Sequence, residues 1–176
     1  QLHFAFSMVD QHGLKKHGRG GFTCHICVLR PKSVGSVKLA DANPNSPPLI
    51  DPAFLKDERD LDTMLAGVKQ AQQIMQAPSF DAHRGKALYA GASNDDEELK
   101  EDIRNRADTI YHPVGTCKMG PDSDPNAVVD QRLRVRGIKS LRVIDASIMP
   151  KIVSGNTNAP SIMIGEKGAH MILEDA

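Results

Sequence analysis

Two short stretches carry side chains whose types and spacing could do chemistry. In Tyr111-His112-Pro113-Val114-Gly115-Thr116-Cys117-Lys118-Met119-Gly120 a histidine stands immediately before a proline, which restricts its backbone to extended conformations and so aims its ring. An imidazole titrates near neutral pH and suits the removal of a proton from a reacting hydroxyl, although a loop histidine read alone is more often structural. The second stretch, Gly155-Asn156-Thr157-Asn158-Ala159-Pro160, is a polar turn running into a helix. The free N–H groups and partial positive charge of a helix start make a site for an anion or an electron-rich ring edge. Simple N-capping by Asn158 would account for the same residues without a ligand.

Other constellations are weaker. Cys24-His25-Ile26-Cys27 has a common zinc spacing, but in a regular strand residues 24 and 27 point to opposite faces and there is no second pair. Buried strand thiols are the simpler reading, and no metal is expected. Asp122-Ser123-Asp124-Pro125-Asn126 echoes half of a calcium loop. Its sixth position is Ala127 rather than Gly and its twelfth is Leu133 rather than Glu, so a solvated turn is expected. A Gly-x-Ser-x-Gly elbow, a Walker loop and a Gly-x-Gly-x-x-Gly fingerprint are all missing from the sequence, which leaves hydrolase and self-sufficient nucleotide-binding readings without an anchor.

The elements that must position these residues form an α+β pattern. Leu2, Phe4, Phe6 and Met8 alternate with their neighbours, as do Phe22, Cys24, Ile26 and Val28, and a third strand is expected around Val37 and Leu39. Together they predict an antiparallel meander or hairpin pair. The stretch from Asp10 to Gly21, with Gly13, Gly18, Lys15, Lys16 and Arg19, reads as a long connection, and Asn43-Pro44-Asn45-Ser46-Pro47-Pro48 as a turn. From Asp57 the period becomes 3.6: Leu61, Met64, Leu65, Val68, Ala71 and Met75 predict an amphipathic helix ending before Pro78. A second helix is expected from near Ser93 or Asn94, acidic at its start and basic at its end, burying Leu99, Ile103, Ala107 and Ile110. Short strands are expected at 133–135 and 141–144. A last helix begins near Asn158 with Pro160 in its first turn. Its interior Gly165 and Gly168 predict a close backbone contact inside a larger body.

Composition narrows the partners. With 22 basic and 22 acidic side chains among 176 residues, the net charge is zero, which removes the footprint of a nucleic-acid or anionic-membrane binder. There is no apolar run of membrane-spanning length. Three cysteines suit a reducing, intracellular compartment. The chain opens at Gln1 in the middle of a strand-like pattern, as a fragment would.

Tyr111 to Gly120, Leu133-Arg134-Val135-Arg136-Gly137-Ile138, Leu141-Arg142-Val143-Ile144-Asp145-Ala146-Ser147-Ile148-Met149-Pro150, Asn156-Thr157-Asn158 and Met163-Ile164-Gly165-Glu166-Lys167 together resemble the C-terminal part of glucose–methanol–choline (GMC) oxidoreductases. The resemblance is nearest to the bacterial alcohol and choline dehydrogenase branch. Leu29-Arg30-Pro31-Lys32-Ser33-Val34-Gly35-Ser36-Val37 resembles the substrate-domain strand pair of the same family, so the likeness spans the whole chain.

The resemblance implies an FAD flavoprotein whose glycine-rich dinucleotide-binding part lies outside this sequence. Residues 1–129 would be part of the substrate-binding domain and 130–176 a return segment completing the FAD domain. It implies that His112 is the catalytic base and Asn156 its partner, with Asp145, Ala146, Asn156, Thr157 and Asn158 lining the cofactor. Thr157 stands where close relatives commonly carry proline. The implied reaction is oxidation of a primary alcohol to an aldehyde by hydride transfer to flavin. Choline dehydrogenation is the alternative, and a non-catalytic binding module of the same fold is the rival from another class. Choline needs a carboxylate or an aromatic cage for its ammonium, and two tyrosines with no tryptophan supply little of one. Apolar walls from Phe4 or Phe6 would suit an aliphatic alcohol equally well. Electrons would pass to a quinone or another carrier. The implied location is cytoplasmic, with peripheral attachment at the inner membrane as an alternative, and the fragment is expected to self-associate through uncovered apolar surface.

Overall fold

A computed structural model describes residues 1–11, 14, 15, 17, 18 and 20–176, so Gly13, Lys16 and Arg19 of the expected connection lie outside the described residues. The chain forms two compact units, one from residues 1–35 and 52–108, the other from 36–51 and 109–176. The class is α+β, with two antiparallel sheets and three α-helices among the described residues.

In the first unit the alternating runs become strands only in part, stopping short of Phe6 and Met8 in the first and of Phe22 and Val28 in the second. β1 (Leu2–Ala5) pairs antiparallel with β2 (Thr23–Ile26), Leu2 opposite Ile26 and Phe4 opposite Cys24. Helix α1 (Glu58–Met75) starts where the Asp57 carboxylate accepts the Arg59 N–H at 3.0 Å, and it buries Leu61, Leu65 and Ala71 along the expected stripe. Helix α2 (Asp96–Arg106) begins a turn position later than the sequence suggested. The reason is its cap: Asp95 accepts the N–H groups of Glu97 and Glu98 at 2.8 and 3.2 Å, while Ser93 Oγ accepts the N–H of Asp95 itself. Leu99 and Ile103 of α2 close a core with Leu61, Leu65 and Ala90, and Ala107 packs at its edge. Ile110 belongs to the other unit and is exposed, so it is no part of this stripe.

Two contacts fix α1 within this unit. An ideal Cβ on Gly67 would lie 2.6 Å from Cγ2 of Ile26, so β2 lies on the helix where only a hydrogen fits. Asp60, buried in the first turn, accepts the N–H groups of Lys32 and Ser33 at 2.8 Å each, and Ser33 Oγ accepts the Asp57 N–H at 3.0 Å. These bonds hold the segment that follows β2. The apolar residues Phe4 and Phe6 stay exposed in this chain.

Of the two expected arrangements, the three-stranded meander does not form and a pair of hairpins does. β3 (Ser36–Lys38) pairs instead with β4 (Leu49–Asp51), a strand the sequence did not announce, with Val37 opposite Ile50. The expected turn between them closes this hairpin: Asp41 accepts the Asn43 N–H at 2.7 Å and the Ser46 hydroxyl at 2.9 Å, and Ser46 N–H returns to the Asn43 carbonyl.

The rest of the second unit is irregular up to helix α3 (Asn158–Glu174). The stretches 133–135 and 141–144, expected as strands, contribute only single bridges, Val129 to Val135 and Arg134 to Arg142. Leu133 at φ 63° and Ser140 at φ 59° occupy left-handed backbone, which interrupts a strand. Their apolar side chains still build a core, in which Val129, Leu133, Ile148 and Met149 surround Ile164 of α3. On the same helix an ideal Cβ at Gly168 would lie 2.3 Å from Cγ2 of Ile144, whereas Gly165 has nothing within 4 Å. Ile162 and Leu173 are exposed, so the expected close packing holds for one face of α3. Its far end is tied by Arg132, which meets Glu174 at 3.0 Å and Asp175 at 2.9 Å, and by Arg134 and Arg142, which both meet Asp175. None of the helices among the described residues is long and apolar enough to cross a membrane.

Candidate functional site

The second unit brings His112, Asn156 and Thr157 together across 44 and 45 positions of sequence. The His112 end is set by local backbone. Tyr111 holds φ 64° and Pro113 follows, so His112 leaves a strained residue and enters a restricted one. Beyond it, Cys117 N–H donates to the Ser147 carbonyl at 3.0 Å and Met119 N–H to the Ile148 carbonyl at 2.7 Å. Gly115, at φ 90°, would place a Cβ 3.3 Å from the Met149 carbonyl oxygen, so glycine is required twice over there. This segment therefore lies along 147–149, two of whose residues are core.

The short turn Ala146–Ile148 is itself capped by Asp145, whose carboxylate accepts the Ser147 N–H at 2.7 Å. Among the described residues, Asp145 makes that bond and none to His112. It is exposed, as are Asn156 and Asn158, while Thr157 is only 8% exposed.

At the imidazole, the Asn156 amide nitrogen lies 2.8 Å from Nε2 and the Thr157 hydroxyl 2.9 Å from Nδ1. An amide nitrogen only donates, so Nε2 accepts and carries the lone pair. The neutral ring then bears its proton on Nδ1, where it donates to Thr157 Oγ1. The backbone N–H of Thr157 is 3.5 Å from the same Nδ1, the outer limit of a hydrogen bond, so the shorter hydroxyl contact decides. The arrangement presents a basic ring nitrogen beside a carboxamide. It is fitted to hold a small hydroxyl group and take its proton.

Two sequence expectations change here. Asn158 is not the N-cap: it is the first helical residue, and Thr157 occupies the cap position without a side-chain capping bond. The Thr157 hydroxyl, expected only in the cofactor lining, is on His112. Local sequence holds no signal for that contact, because a threonine before a helix ordinarily caps it.

The other candidates resolve more simply. Cys24 and Cys27 are free thiols, pushed above the ordinary range by burial. No group of three metal-ligating side chains occurs among the described residues. Asp122 pairs with Arg136 at 2.7 Å and Asp124 with Lys118 at 2.7 Å, which holds the Asp124 carboxyl low, so these carboxylates serve the turn. In the first unit, Asp10 is a buried carboxylate that the sequence did not flag. The Tyr89 hydroxyl, His17, Arg106 and Lys15 surround it and hold its carboxyl to about 2. Its partners are scattered along the chain, and its hydrogen-bonding capacity is met.

Comparison with known proteins gives one consistent picture. Residues 31–165 match the GMC oxidoreductase family. An alcohol dehydrogenase [acceptor] of Pseudomonas putida is 51% identical over 174 residues, covering 98% of this chain and 31% of its own length. The mitochondrial choline dehydrogenase of Homo sapiens is 44% identical over 173 residues, covering 98% and 29%. Among solved structures, pyridoxine 4-oxidase from Mesorbium loti matches with a TM-score of 0.77 at 32% identity, over 87% of this chain and 29% of that one. An FAD-dependent oxidoreductase from Chaetomium thermophilum matches with a TM-score of 0.78 at 27% identity, over 90% and 27%. The chain thus spans under a third of the length of these relatives.

Proposed function

Because this chain belongs to the GMC oxidoreductase family, we propose that it is the C-terminal part of an FAD-dependent oxidoreductase that converts a primary alcohol to an aldehyde. The observation that carries the reading is the imidazole held between two partners, Nε2 against the Asn156 amide and Nδ1 against Thr157. In this reading 1–129 contribute to substrate binding and 130–176 complete the cofactor domain.

His112 is the catalytic base. An alcohol entering the site displaces the Asn156 amide from Nε2, which then accepts the hydroxyl proton. The amide, released from the ring, donates to the substrate oxygen and orients it without competing for the proton. When bound, FAD supplies the acceptor for the hydride leaving the carbinol carbon. The residues present fit such a group: Asp145, Asn156 and Asn158 are exposed, and the first-turn N–H groups of α3 are left uncapped by Thr157. A helix start in that condition favours negative charge. Asp145, Ala146, Asn156, Thr157 and Asn158 would form the cofactor lining.

An aliphatic primary alcohol is the favoured substrate and choline the second, since dehydrogenases of both kinds are among the relatives. A quinone or another carrier would receive the electrons, and the setting would be cytoplasmic or peripheral to the inner membrane. The test is anaerobic mixing of the flavin-loaded, full-length polypeptide carrying this chain with a panel of alcohols and choline. Bleaching of the flavin absorbance by primary alcohols is the expected result. A colourless protein, or a flavin that no alcohol reduces, would leave the non-catalytic binding module as the correct reading.

A further inference from the structure

We infer that Thr157 is a positioning residue for His112, its hydroxyl oxygen receiving the Nδ1 proton that the Asn156 amide at Nε2 calls for, so that Nε2 is kept as the proton acceptor. The inference rests on the reading of His112 as the base, and it assigns to Thr157 a task beyond lining the cofactor.

The first support is geometry. Thr157 Oγ1 is 2.9 Å from Nδ1 and the residue is 8% exposed, so water competes little for the contact. The second is how rigidly the hydroxyl is carried. The Thr157 carbonyl accepts both the N–H and the hydroxyl of Ser161, at 3.0 and 2.6 Å, which locks the backbone to the first turn of α3. A β-branched side chain on a fixed backbone has few rotamers. The third is what the hydroxyl does not do. It stands at the cap position and makes no capping bond, although that bond is the usual role of threonine there.

The chemical consequence follows from the two ring nitrogens being distinct. A neutral imidazole whose proton sits on Nε2 has no lone pair facing the amide and the substrate, and so cannot act as the base from that side. The Asn156 amide, which only donates, selects the Nδ1–H form, and the Thr157 oxygen stabilises it by accepting that proton, against the Thr157 backbone N–H, which favours a lone pair on Nδ1. Thr157 therefore acts through His112 and never touches the reacting atoms. Proline at this position could offer neither hydroxyl nor N–H, so chains with proline there must set the tautomer by another contact.

The ring proton is read directly by long-range ¹H–¹⁵N correlation on the full-length polypeptide labelled with ¹⁵N-histidine, at a pH where imidazoles are neutral. The Nδ1–H form is expected for His112. Thr157→Val, which keeps the shape and removes the hydroxyl, should move the tautomer ratio about tenfold toward Nε2–H, the scale of one lost hydrogen bond. Thr157→Ser should restore the parent spectrum. In the flavin-loaded, full-length enzyme, Thr157→Val should slow flavin reduction at saturating alcohol by about tenfold, and Thr157→Ser should recover it. An Nε2–H form in the parent chain, or an unchanged ratio in Thr157→Val, overturns the inference without any kinetics. A ratio that moves as expected while His112→Ala reduces its flavin at the parent rate supports the placement of the proton and overturns the catalytic reading of His112.

Discussion

Replacing Gly165 and Gly168 by alanine, one at a time, should shift the stability of α3 in opposite directions. Both residues lie in the helix interior, where alanine is favoured over glycine by about 1 kcal/mol. At Gly165 nothing lies within 4 Å of the new Cβ, so Gly165→Ala should stabilise the helix by about 0.5–1 kcal/mol. At Gly168 the Cβ meets Ile144 at 2.3 Å from Cγ2, 2.9 Å from Cδ1 and 3.1 Å from Cγ1. The Cγ2 methyl is attached directly to Cβ of Ile144 and cannot swing clear without turning the whole side chain, in a core where Ile144 also packs beside Ile148 and Ile164. Overpacking of this kind costs about 1–3 kcal/mol, which exceeds the helix gain. Gly168→Ala should therefore destabilise by up to roughly 2.5 kcal/mol, the difference of those two effects. Ile144→Ala removes all three clashing atoms, so the double variant Gly168→Ala with Ile144→Ala should lose less than the sum of the two single losses. Native-state hydrogen exchange of the α3 amides reads this helix without requiring the two units to unfold together, with urea unfolding as a second measure. A Gly168→Ala chain as protected as the parent, or a double variant whose losses simply add, would refute the packing argument.

On the proposed reading, His112→Ala in the full-length polypeptide should slow flavin reduction by about 10²–10⁴-fold, the usual scale for a positioned base, with FAD still bound; stopped-flow reduction checks it. Asn156→Ala should cost on the order of 2–4 kcal/mol in the same step, since it removes a donor to the reacting oxygen but leaves the proton acceptor. The 176-residue chain alone should bind FAD no tighter than the millimolar range in fluorescence-quenching titrations, because it contains no glycine-rich loop for the pyrophosphate. Asp175 gives an acid signature: hydrogen bonds first from Arg134, then from Arg142 and Arg132, hold its carboxyl at about 2, below the 3.8 of a free carboxylate. A lowered folded-state value means that its contribution is fully present above about pH 4 and is lost as pH falls toward 2. Part of the pH dependence of α3 protection in that window should disappear in Asp175→Asn, as measured by hydrogen exchange.

The helices were legible because their signals are local. Asp57 and Asp95 cap them, a 3.6-residue stripe faces the core, and neighbouring residues decide both. Strand pairing was less legible. Alternation left a meander and a pair of hairpins open for β3, since the choice between β2 and β4 depends on the turn through Asp41 and Ser46. The irregular stretch before α3 was legible only as irregular. Positive φ at Leu133, a residue with no left-handed preference, is imposed by packing and leaves no trace in residue type. For the site, His112 was marked by Pro113 and Asn156 by the polar turn, yet a loop histidine alone points more often to structure and the turn alone to a simple helix cap. The contact between Thr157 and Nδ1 was invisible, because it joins residues 45 apart.

That contact also explains how an irregular segment can hold an imidazole in place. His112 sits in a loop, and loop side chains usually pay for their mobility in lost alignment. Here the ring is gripped at both nitrogens by consecutive residues, Asn156 and Thr157, at the start of a 17-residue helix. Ile164 sinks that helix into the same core as Ile148 and Met149. The loop carrying His112 is hydrogen-bonded to this second side of the core through Cys117 and Met119. Imidazole and partners are thus referred to one packed body from two directions, and a shift of α3 must move the grip on the ring. The absent side-chain cap is the local cost, about 1 kcal/mol for a helix of ordinary design. It is offset where α3 is anchored elsewhere, by Gly168 against Ile144 and by the arginines on Asp175. Loosening either anchor should therefore disturb the His112 tautomer as well as the helix, which makes the ring's ¹⁵N spectrum in Gly168→Ala a direct measure of how far the core controls the imidazole.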